Sequence, residues 1–151
     1  MNHVIKAQHG LIFWVFAVLF TFFYPMLISI YVFLPLLVGA MSYALVQGLE
    51  RGKTFFILLA IIYMLNLEVN LSLPIFLIII STLLFYVIIY PYFKHFRKCQ
   101  ICRPLLSVVV LDFMYLGCLF SYDFIFQTQS IVLDEILVYS LIVDMLVVVI
   151  L

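Results

Sequence analysis

Lys94-His-Phe-Arg-Lys-Cys-Gln-Ile-Cys-Arg103 is the stretch that orders this chain. Of the 7 basic residues, Lys94, Arg97, Lys98 and Arg103 lie within it, as do Cys99 and Cys102 of the 3 cysteines. Long apolar runs flank it on both sides. A basic island between two such runs reads as a loop between membrane spans, and its positive charge assigns it to the cytoplasmic side.

The rest of the composition agrees. Of 151 residues, 69% are hydrophobic and 9% charged, against roughly 45–50% and 25% in a soluble domain. A soluble chain of this size could not bury so much apolar surface, so the sequence predicts an all-α, polytopic membrane helix bundle. The length suits a single domain, residues 1–151, without a separate soluble module. The formal net charge is zero, with no extended basic run, which speaks against a nucleic-acid partner.

Outward from the loop, a bilayer core of about 30 Å takes roughly 20 helical residues. Leu11 to Gln47 carries no acidic or basic residue and suits two spans, with an outer turn near Pro25. One tilted span plus a re-entrant piece is the alternative. Six spans are predicted, at about 10–24, 32–47, 54–67, 74–92, 104–120 and 131–151. Pro74 is expected to begin the fourth. Lys6 precedes a first span that has no small-residue cleavage site after it, so that span reads as uncleaved. With six spans, Lys6, Arg51, Lys53 and the four basic residues of the quoted loop all fall on one side, and Glu68, Asp123, Asp134 and Glu135 on the other. Both termini are therefore predicted cytoplasmic, and Lys94, Arg97, Lys98 and Arg103 are topology-setting residues.

Asp112 and Asp144 are the intramembrane polar candidates. At about 1.5 Å per residue they lie roughly 12 Å and 10 Å from the same membrane face. No basic residue within the spans can pair with them, and such residues usually face the bundle interior. A proton or cation site and a buried polar contact, with a hydroxyl such as Tyr115 or Tyr139, are the two readings. Ala40, Ala44 and Gly48 recur every four residues and read as a helix-packing face. Asn66, Glu68 and Asn70, gathered before Pro74, are candidates for an outer-face contact, or else a solvated turn. Cys99-Gln-Ile-Cys102 has redox spacing, and His95 adds a third zinc ligand where a closed site usually needs four. Reduced loop thiols are the expectation. No motif implies a catalytic residue, cofactor or metal.

The run Gly48 to Gly52 into span three, then Asn66 through Pro74 into span four, resembles the bacterial rod-shape-determining MreD family, as does the overall plan of six short spans. The resemblance implies a non-enzymatic scaffold, multi-pass in the bacterial inner (cytoplasmic) membrane. Its partners would be the lipid bilayer and membrane proteins such as MreC, and its role would lie in cell shape and peptidoglycan synthesis during cell-wall elongation. It carries over no site residue. The implied fold is similar to the substrate-binding subunits of energy-coupling-factor transporters, so a small transport subunit is the second expectation. A thiol oxidoreductase using Cys99 and Cys102 is the third.

Overall fold

The computed structural model describes residues 2–31, 34–95, 99–127 and 135–150, with side chains from 9–31, 34–95, 99–127 and 138–150. Among them every regular element is a helix: α1 Asn2–Ile30, α2 Val38–Arg51, α3 Thr54–Asn70, α4 Leu77–Phe93, α5 Cys102–Phe126 and α6 Glu135–Ile150. Two stretches, His9–Ile30 and Cys102–Phe126, are long and apolar enough to cross a membrane.

The short helix α2 is the hub. It packs on α3, α4, α5 and α6, whereas α1 rests mainly on α3. The main core joins Leu45 of α2, Tyr63, Met64 and Leu67 of α3, Ile78 of α4 and Tyr115 of α5. Gly48 permits the α2–α3 approach, since a Cβ there would lie 2.9 Å from the Ile57 side chain.

Several expected boundaries are corrected. The chain does not turn at Pro25, which sits buried inside α1. Proline removes the amide that would serve the carbonyl of Thr21, four residues back. Asn66 of α3 repairs the gap, its Nδ2 lying 3.4 Å from the Thr21 oxygen and 3.0 Å from that of Phe22. A neighbouring helix that satisfies freed carbonyls lets an apolar helix keep its proline. α2 starts at Val38 rather than near 32 and ends at Gly52, whose φ of 66° closes it in the left-handed region. α4 begins at Leu77, three residues after Pro74. It contains a π turn over Phe85–Ile89, which relieves the clash that Pro91 would otherwise make with the preceding turn. α5 extends through Ser121 and Asp123, which were expected in a loop. Arg97, Lys98 and Asp134 lie outside the described residues.

Candidate functional site: an interior helix end

The site is built at the first turn of α2. The chain enters it as a short non-helical segment at Pro35–Leu37, with Leu37 in the left-handed region at φ 53°. Non-helical backbone in an apolar interior needs partners for its amides and carbonyls. Three side chains supply them. The Tyr24 hydroxyl donates to the Pro35 carbonyl at 2.8 Å, and the Tyr63 hydroxyl to that of Leu36 at 2.9 Å. Ser140 Oγ accepts from the Leu36 amide at 3.1 Å. α1, α3 and α6 thus hold the segment from three directions.

Helix starts expose unpaired amides and a partial positive charge. Leu37 has no side chain to cap them, and two aspartates from other helices come instead. Asp144 of α6, 1% exposed, accepts from the Gly39 amide through Oδ2 at 3.1 Å. Asp112 of α5 presses its carboxylate on the same residue: a Cβ at Gly39 would lie 2.7 Å from both Oδ1 and Oδ2. Glycine at 39 leaves the space that the carboxylate occupies, and any side chain there would make Asp112 shift.

Some oxygens at the site have no partner. Asp112 Oδ2, Asp144 Oδ1 and the Tyr115 hydroxyl are buried without a hydrogen bond. Asp112, Tyr115 and Ser140 line one cavity of about 190 Å³ with apolar neighbours such as Leu36 and Val138. Among the described residues the one ion pair joins Arg103 to Glu50, so no cation neutralises the two carboxylates. Two negative charges at one helix end repel strongly in a low-dielectric interior. Protonation of either carboxyl removes that repulsion and gives that carboxyl a hydrogen to donate. No group of three or more His, Cys, Asp or Glu among the described residues is placed to hold a metal.

The other candidates are placed as follows. Glu68 does not face outward. It is 0% exposed, and its carboxylate accepts from the amides of Phe76 at 2.7 Å and Ile78 at 2.8 Å. It caps α4, whose own cap position, Phe76 at φ 69°, offers no side-chain acceptor. Asn66 serves α1, and Asn70 Nδ2 fixes Asn66 by donating to its Oδ1 at 2.6 Å. The expected outer contact is therefore an internal set of braces. Ala40 packs with Val108 and Val148, while Gly48 meets α3, so the small-residue stripe touches several helices. Cys99 and Cys102 form a disulfide rather than two reduced thiols. His95 lies apart from them, its Nδ1 3.4 Å from the Pro91 carbonyl.

Lys94 and Arg103 lie with Arg51 and Lys53 at one end of the bundle. Arg103 donates to Tyr90 Oη at 2.6 Å and contacts Glu50 at 3.4 Å, and Lys94 lies over the Tyr90 ring. Tyr90 donates to Glu50 in turn. That bond, with the nearby Arg103 charge, holds the Glu50 carboxyl below its ordinary range. Sequence reasoning missed this cluster and Gly39. A glycine after Pro35 inside an apolar run was the one local sign of the latter. No family model matches the chain, and no curated protein or solved structure matches it significantly.

Proposed function

We propose that the chain is a multi-pass membrane protein and a small transport subunit, with Asp112 and Asp144 as an interior site for one proton. The membrane reading rests on exposure. Only 17% of the best window in His9–Ile30 and 28% of that in Cys102–Phe126 is buried, whereas a helix apolar all round is covered either by protein or by lipid. The proton site is carried by one observation: two carboxylates from separate helices converge on the interior end of α2, and each keeps an unpartnered oxygen. Interior helix ends that face charged groups are a recurring way to build substrate and ion sites in transport proteins. Ionisable residues at membrane depth usually mark such paths.

The test uses an apolar carbodiimide, which modifies protonated carboxyls in apolar surroundings. Labelling of the purified chain should fall on Asp112 or Asp144 and rise with acidity. It should disappear in the Asp112→Asn/Asp144→Asn double variant. Labelling elsewhere, or none across the pH range where the protein stays folded, overturns the reading.

A second reading, the non-enzymatic scaffold resembling MreD, is favoured by α1. That helix packs mainly on α3 and leaves Leu11, Phe16, Phe23 and Ile30 exposed. A partner helix, such as that of an MreC-like protein, would cover this face. Co-purification of one single-span partner that is lost on Phe16→Ser/Phe23→Ser substitution, with the carboxyl pair dispensable, would select the scaffold.

A further inference from the structure

We propose that the cleft between α2, α3, α5 and α6 binds one anionic membrane lipid. Its phosphate-bearing headgroup sits at Arg51 and Lys53, and its acyl portion lies along Ala40 and Ala44. The inference rests on the membrane reading above but not on the carboxyl pair.

The cleft has a volume of about 410 Å³ and a graded lining. Ala40, Ala44, Val148 and Val149 form an apolar wall, and Gln47, Gln100, Arg51 and Lys53 form a polar end. This is the shape of an amphiphile: a narrow apolar slot crowned by cations and amide donors. The small-residue stripe of α2 makes the slot, because side chains larger than Ala40 and Ala44 would fill it. Exposed Ile101 leaves the rim accessible from outside the bundle, as does exposed Val149.

Charge decides the headgroup. Among the described residues, Arg51 and Lys53 have no carboxylate within salt-bridge distance. The nearby Glu50 lines the adjoining cavity together with Arg51, but its carboxylate is engaged by Tyr90 and Arg103. Two cations without a carboxylate partner at the end of an apolar slot, Lys53 lying over the Phe56 ring, favour a headgroup of net negative charge over a zwitterionic one. Each basic residue near an anionic lipid surface contributes about 1 kcal/mol, or roughly fivefold in affinity.

The full chain is purified in detergent and equilibrated with phosphatidylglycerol and phosphatidylcholine, and the retained lipid is counted by native mass spectrometry. One phosphatidylglycerol should be retained in preference. Arg51→Gln and Lys53→Gln should each reduce that preference roughly fivefold, whereas Lys94→Gln, at the same end but outside the cleft, should leave it intact. Ala44→Leu should lower retention of both lipids by filling the slot. If Ala44→Leu fails to fold, the two charge variants at the exposed end still decide. Equal retention of the two lipids, or charge variants without effect, overturns the proposal. So does full displacement by inorganic phosphate, which would mark a site for the free anion. Failure of the unaltered chain to co-float with phosphatidylglycerol vesicles would instead count against the membrane reading itself.

Discussion

Asp112 of α5 and Asp144 of α6 meet at Gly39 of α2. The first fills the space a Cβ would need, and the second accepts the Gly39 amide at 3.1 Å. Gly39→Ala should therefore force the Asp112 carboxylate or the backbone to shift, at about 1–3 kcal/mol, typical of overpacking. Thermal unfolding in detergent measures it. In an Asp112→Ala background the same change should cost much less, since the clashing atoms are gone. Equal costs in the two backgrounds would show that Gly39 is needed for something other than Asp112.

Asp144 separates charge from hydrogen bonding. Asp144→Asn keeps an oxygen for the Gly39 amide and should stay within about 1 kcal/mol of the parent. Asp144→Leu leaves that amide bare and should cost about 1–3 kcal/mol. Equal losses in both variants would mean that the negative charge, rather than the acceptor, holds α2.

Asn66 and Pro25 should be coupled. Asn66→Ala exposes the carbonyls it serves and should cost about 1–2 kcal/mol. In a Pro25→Ala background, residue 25 regains an amide for the Thr21 carbonyl, and the Asn66 effect should shrink, while the shorter Asn66 bond to the Phe22 carbonyl remains. A double-mutant cycle reads the difference directly, and additivity would contradict the repair.

Glu68 caps α4 with two hydrogen bonds to backbone amides. Glu68→Ala should destabilise by roughly 2–3 kcal/mol, in the range for bonds to a charged group. Hydrogen exchange at Phe76 and Ile78 should quicken first. Unchanged exchange at those two amides would show that the cap is dispensable.

Glu50 gives a pH dependence with a definite sign. Its carboxyl is held below the ordinary range by the bond from Tyr90 and by Arg103. A depressed carboxylate contributes stability above its unfolded pKa, and that contribution is lost as pH falls through the folded value. Stability should therefore decline on acidification below the ordinary glutamate range, and Glu50→Gln should flatten that part of the curve. Glu50 is partly exposed, so the effect should be small and weaken in high salt.

Local signals located the helices better than their ends. The apolar run after Lys53 and the basic loop at Lys94–Arg103 marked where helices stop, because charge and glycine act through neighbours in sequence. Pro25 misled. Its missing amide is a local fact, but the donor that compensates it is Asn66, 41 positions later in the chain, and nothing near either residue announces the pairing. The same holds for Glu68, which looks like part of a solvated turn until the fold sets it under the first amides of α4.

By itself, the sequence determined that the chain is helical and apolar, that Asp112 and Asp144 have no cation within their own segments, and that a break separates two helices near Gly52, although the loop expected over Gly48–Lys53 narrows to Gly52–Lys53 because α2 runs on to Arg51. These follow from composition and short-range spacing. Only the tertiary structure decided that both aspartates converge on one glycine, that three other helices hold the segment before α2, and that the Ala40–Ala44 stripe borders a cleft. The reason is geometric. A hydrogen-bond partner or a cavity wall is a relation among helices, and the periodicity of one helix says which face is apolar but not what lies against it.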